Sequence, residues 1–102
     1  MKLELPRRDF FIRQDPDYEF CEYLRSKGKF ILKEVVKEIK KLDPESKIDY
    51  NILYDRISVW EGQRFIKSNN IATLGGPKYE YYFSEAALKI LDRYKPSETH
   101  KI

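Results

Sequence analysis

The sequence predicts a mainly α-helical domain carrying one small β-hairpin, an α+β fold, and three features lead to it. Asn70 to Leu91 reads as strand, tight turn, strand and helix. Lys33–Leu42 and Asp49–Trp60 each repeat apolar residues at helical spacing. A two-stranded hairpin is marginal by itself, so this one must lie against the helices.

Taken in order, residues 1–14 form an N-terminal arm in which Phe10, Phe11 and Ile12 follow Arg7-Arg8. Asp15-Pro16 is a helix start, with Asp as N-cap and Pro at the first helical position. The helix it opens carries Phe20, Cys21 and Leu24 on one face and ends at Gly28. Lys29–Leu32 is a short strand. Leu32, Val35, Val36, Ile39 and Leu42 then form the apolar stripe of a second helix, broken by Asp43-Pro44-Glu45.

A third helix begins near Asp49. Leu53, Ile57 and Trp60 share its inner face, which turns Asn51, Tyr54, Asp55 and Ser58 outward. Gly62 interrupts the stripe and marks a kink or break, and the segment is expected to reach about Ser68. Asn69-Asn70 turns the chain into Ile71–Leu74, and Gly75-Gly76-Pro77-Lys78 makes the hairpin tip with Lys78 as its exposed cation. Tyr79, Tyr81 and Phe83 alternate onto one face of the second strand. Ser84 caps a last helix over Glu85–Tyr94, and residues 95–102 are a tail without periodicity.

With 102 residues there is room for one domain, at 15–94, burying roughly two-thirds of its unfolded surface. Hydrophobic content of 41% is that of a folded chain, and no apolar run is long enough for a membrane span. One cysteine excludes an internal disulfide, and with one histidine a closed zinc site has too few ligands. No Gly-rich phosphate loop, Ser/His/Asp set or paired-His motif is present, and His100 sits in the tail, so neither an enzyme nor a cofactor is expected. The N-terminus lacks the apolar core of a signal peptide, which makes the expected location cytoplasmic. Charged residues at 36%, with few Gln, Cys and Met, resemble the composition of proteins from hot environments.

The net charge of +3 is unevenly spread. Lys29, Lys33, Lys37, Lys40 and Lys41 outweigh Glu34 and Glu38, whereas Asp15, Asp17, Glu19 and Glu22 outweigh Arg25 and Lys27. One basic side and one acidic side suit a surface that meets phosphate, although a solvated, salt-bridged surface has the same composition.

Three segments carry a family resemblance. Gly28-Lys29-Phe30-Ile31-Leu32-Lys33-Glu34-Val35 resembles the glycine-ended first helix, short strand and second helix of winged helix-turn-helix domains. Asp49-Tyr50-Asn51-Ile52-Leu53-Tyr54-Asp55-Arg56-Ile57 resembles their recognition helix. Ile66-Lys67-Ser68-Asn69-Asn70-Ile71, followed by the hairpin and Ser84-Glu85, resembles the junction of helix end, wing and last helix. The likeness is to small archaeal, bacterial or viral regulators. Gly62 within the third helix, the absence of glycine at Asn69-Asn70 and the scarcity of Arg and Lys on the recognition face depart from the pattern.

The resemblance implies a sequence-specific regulator of transcription that reads double-stranded DNA. Its third helix would lie in the major groove and its wing on the backbone or in the minor groove. Asn51 would then pair with adenine, with Tyr50, Tyr54 and Ser58 reaching bases or phosphates and Lys47 and Lys78 reaching backbone phosphates. Lys29, Lys33, Arg64 and Lys67 are further phosphate candidates. Asp55 and Glu61 on the same helix oppose that role and favour the alternative, a winged-helix module for protein contact in a transcription, replication or viral assembly. A homodimer is expected, joined through Leu88, Leu91 and Tyr94 together with Phe10, Phe11 and Ile12, the rival outcome being an arm that folds back onto its own first helix and satisfies the stripe within the monomer. If the chain is viral, the location would be the host cell.

Overall fold

Each helix begins or ends where the chain offers partners for its unpaired backbone groups. The computed structural model describes residues 3–13 and 18–94, and the expected start at Asp15-Pro16 and the tail at 95–102 lie outside them. After a single turn, α1 (Phe10–Arg13), comes α2 (Glu19–Lys27). It closes at Gly28, whose φ of 74° lets its N–H reach the Arg25 carbonyl. β1 (Lys29–Phe30) leads into α3 (Leu32–Leu42). α4 (Tyr50–Gly62) opens on Asp49, whose carboxylate accepts from Ile52 N at 2.8 Å. β2 (Ile66–Thr73) and β3 (Gly76–Phe83) form the hairpin, and α5 (Glu85–Tyr94) follows. Ser84 serves both sides of that last junction. Its hydroxyl accepts from Ala87 N at 3.3 Å and donates to the Arg64 carbonyl at 2.9 Å.

The sheet is antiparallel in the order β1-β3-β2. Phe83 opposes Ile66 and Tyr81 opposes Ser68, so one face of the hairpin's base packs on the helices. Leu53, Ile57 and Trp60 of α4 are fully buried, as the stripe predicts, among Phe20, Cys21 and Leu24 of α2 and Val35 and Ile39 of α3. Burial of Cys21 pushes its thiol well above the ordinary range, which keeps it protonated and makes it a small core residue. Among the described residues no helix is long and apolar enough to cross a membrane.

Three expectations need correction. The first concerns the end of the third helix. It stops at Gly62 rather than near Ser68, and Ser68, Asn69 and Asn70 are strand residues opposite Tyr81, Glu80 and Tyr79. Arg64 supplies the reversal with a left-handed φ of 71°, the role assigned to Asn69-Asn70. The second concerns the hairpin tip, which is Leu74–Gly75 followed by Gly76 at φ 114°. Lys78 sits inside β3 opposite Ile71, and the fully exposed side chain at the apex is Leu74.

The third concerns the arm. Phe10 and Phe11 are buried in the domain's own core rather than offered to a partner. Phe11 stacks on Phe65 at 4.7 Å and meets Trp60 edge-on at 5.3 Å, while Phe10 stacks on Tyr94 at 5.6 Å. Trp60 Nε1 donates to the Arg8 carbonyl at 3.2 Å, which ties the segment down. The apolar cluster therefore completes a monomer's core. Leu91 is buried as well, and Ile12 is the member left largely in solvent, at 63% exposure.

Candidate nucleic-acid interface

The outward side of α4 is set by the inward one. With Leu53, Ile57 and Trp60 held in the core, helical geometry points Tyr50, Asn51 and Tyr54 away from it. Tyr50 and Tyr54, one turn apart, lie with ring centroids 6.0 Å apart and planes 13° from parallel. They remain 42% and 49% exposed.

The hairpin builds the facing wall. Tyr79, Tyr81 and Phe83 share one face of β3, but the face outruns the helices beneath it. Phe83 and Tyr81 are buried, whereas Tyr79, two residues nearer the tip, is 49% exposed. Between α4 and this strand runs a cleft of about 890 Å³ that gathers Tyr50, Asn51 and Tyr54, Lys33 from the first turn of α3, and Lys78, Tyr79 and Tyr81 from β3. Glu61 and Ser68 also line it, and the Ser68 hydroxyl donates to the Glu61 carboxylate at 2.7 Å. The Tyr81 phenol is pushed up to about 12, by burial first and then by the charge of Glu61 and the neighbouring Tyr54, Tyr50 and Tyr79.

Not every residue named from the sequence belongs to this cleft. Asn51, Tyr50, Tyr54, Lys33 and Lys78 do. Ser58 is half-buried and outside the lining. Lys47 precedes the cap of α4 and lines a separate depression with Leu3, Leu5 and Ile52. Lys29 and Lys67 both neighbour Tyr82 across the sheet, the former 6.0 Å above its ring, on the face opposite to Tyr81. Arg64 is exposed in the reversal after α4.

Two residues near this surface escaped the sequence reading. Arg8 reaches across to Asp55 on α4 at 2.9 Å, so the carboxylate that argued against phosphate already has a cation on it. Arg56 lies beside that pair. Burial and the charge of Arg8 push its guanidinium down, and its Nε and Nη1 have no hydrogen-bond partner among the described residues. The Arg7-Arg8 doublet is visible in the sequence, but its place beside α4 depends on how the aromatic pair after it packs. Among the described residues no group of three or more His, Cys, Asp or Glu side chains could hold a metal ion.

No family model and no curated protein matches the sequence. Solved structures do. A protein assigned to the MarR family of transcriptional regulators from Enterococcus faecalis V583 superposes with a TM-score of 0.63 at 17% identity, over 91% of this chain and 76% of that one. A PadR-family transcriptional regulator from Eggerthella lenta DSM 2243 gives a TM-score of 0.59 at 23% identity, over 78% of this chain and 66% of that one. Diamide-treated YodB from B. subtilis gives 0.54 at 16%, over 76% of this chain and 69% of that one. Identities this low speak for the fold alone, and the order from α2 onward, helix, strand, helix, helix, hairpin, helix, agrees with them: the chain has the winged helix-turn-helix fold.

Proposed function

We propose that the protein is a sequence-specific double-stranded-DNA-binding regulator of transcription, working in the cytoplasm as a homodimer. Residues 15–94 form its reading unit, residues 1–14 its N-terminal segment and residues 95–102 its tail. The observation that carries this reading is the outward face of α4, where Tyr50, Asn51 and Tyr54 stand unshielded between Lys33 and Lys78. The likeness in fold to MarR- and PadR-family regulators supports it. α4 enters the major groove, where the Asn51 amide pairs with the N6/N7 edge of adenine and the Tyr50 and Tyr54 hydroxyls reach bases or phosphates. Lys33 and Lys78 neutralise flanking phosphates, with Lys47, Ser58, Lys29, Arg64 and Lys67 as outlying contacts. The hairpin lies along the adjacent backbone or minor groove. No catalytic step and no cofactor is assigned to the chain.

A gel shift on random duplex, followed by selection of the bound fraction, tests this directly. Binding is expected at low salt, with the logarithm of affinity falling by about 0.9 per phosphate contact for each tenfold rise in salt, and with one sequence enriched. The second reading, a protein-contact module, is favoured by the Glu61 carboxylate inside the cleft. The absence of a shift at low salt would support that module and remove the regulator.

A further inference from the structure

The cleft between α4 and the hairpin has a composition that duplex recognition alone does not explain. Reading base edges in a major groove takes hydrogen-bonding groups at the tips of side chains. Beside such groups this cleft gathers exposed aromatic rings: the mutually stacked pair Tyr50 and Tyr54 on one wall and the half-exposed Tyr79 on the other. Flat aromatic faces in a shallow concavity are what proteins use to hold unpaired bases, because every base has a π face to stack. A cleft of about 890 Å³ falls in the size range of small-ligand pockets.

The charges fix the orientation. Glu61, inside the cleft and hydrogen-bonded by Ser68, repels phosphate but can accept a hydrogen bond from an exocyclic amino group such as cytosine N4. The two lysines of the lining, Lys33 and Lys78, are both exposed and so stand where a backbone would pass. Bases inward and phosphates outward satisfies both.

We propose that this cleft binds unpaired nucleobases of a single DNA strand, stacked on Tyr54 and Tyr79, so that the protein grips a locally opened duplex more tightly than a fully paired one. The inference rests on the nucleic-acid reading above and adds a second mode of contact to it.

Fluorescence anisotropy of the full chain with three labelled probes tests it: a mixed-sequence single strand, a duplex with a central unpaired bubble, and the fully paired duplex of equal length. The bubble is expected to bind about tenfold more tightly than the paired duplex. Tyr54→Ala and Tyr79→Ala should each weaken bubble and single-strand binding by roughly 5- to 150-fold and so erase that preference. Tyr54→Phe, which keeps the ring and loses the hydroxyl, should retain it. Both positions are half-exposed, so melting curves of the variants should match that of the parent. Equal affinity for bubble and paired duplex overturns the proposal while leaving the duplex reading in place. A preference that survives both alanine variants overturns it too, and no binding to any probe overturns both readings.

Discussion

At the scale of single residues, α4 separates two kinds of side chain that sequence spacing alone distinguishes. Leu53 and Trp60 are fully buried, so Leu53→Ala should cost about 2–5 kcal/mol and Trp60→Ala about 3–5 kcal/mol, read as shifted denaturation midpoints. Asn51 is exposed beside them, and Asn51→Ala should leave the midpoint unmoved while flattening sequence preference in a binding-site selection. The reverse pattern would mean that the helix is rotated. Lys78 is a separate case. It is exposed within β3 rather than at the apex, so Lys78→Glu should lower duplex affinity and reduce the salt slope by about one contact without altering the melting curve. An unchanged slope would take the hairpin off the backbone.

At the scale of elements, two junctions decide the architecture. α2 and α3 are tied through Glu38, which accepts from Lys27 and from the Tyr23 hydroxyl. Lys27 first and Tyr23 second hold its carboxyl below the ordinary carboxylate range. The folded state therefore binds that proton less tightly than the unfolded one. The resulting stability is present above the unfolded pKa and is lost as pH falls through the lower folded value. Glu38→Gln should accordingly flatten the acid limb of stability against pH, measured by melting at a series of pH values, and an unchanged limb would remove this tie. The second junction is Arg64. A left-handed backbone costs a non-glycine residue roughly 1 kcal/mol, so Arg64→Gly should raise stability by up to about that amount. Destabilisation instead would mean that the arginine side chain outweighs the strain.

At the scale of the whole molecule, the N-terminal segment changes meaning. Removing residues 1–12 takes Phe10 and Phe11 out of a core that also holds Trp60, Phe65 and Phe83. The truncated chain is expected to lose its cooperative melting transition rather than merely dissociate; a truncated chain that still melts cooperatively would show the segment to be dispensable. The proposed homodimer would then have to use other surface. Ile12 is largely exposed, and Leu88, Ile90 and Tyr94 are partly buried. On the proposed function, two copies on a palindrome are the expected mode of reading, since one α4 and one hairpin would contact few base pairs. Light scattering at micromolar concentration decides between a mass near 12.3 kDa and twice that value.

The local rules of the chain reach a definite distance. Helical spacing placed Leu53, Ile57 and Trp60 inward and Asn51 and Tyr54 outward, because one apolar stripe leaves only one orientation. Asp49, Ser84 and Gly28 marked helix ends, because capping is chemistry between near neighbours in sequence. What the sequence left open depends on partners far along the chain. Ser68, Asn69 and Asn70 look like a helix end and a turn, yet they pair with Tyr81, Glu80 and Tyr79, and a ladder of backbone hydrogen bonds overrides weak local preference. The register of that ladder also decided that Leu74 rather than Lys78 stands near the tip and that Lys67 faces away from Tyr81, and the β1–β3 register does the same for Lys29. The fate of Phe10 and Phe11 was equally tertiary. An aromatic cluster is apolar in the same way whether its own domain or a second copy covers it, and only the space beside Trp60 and Phe65 settles which.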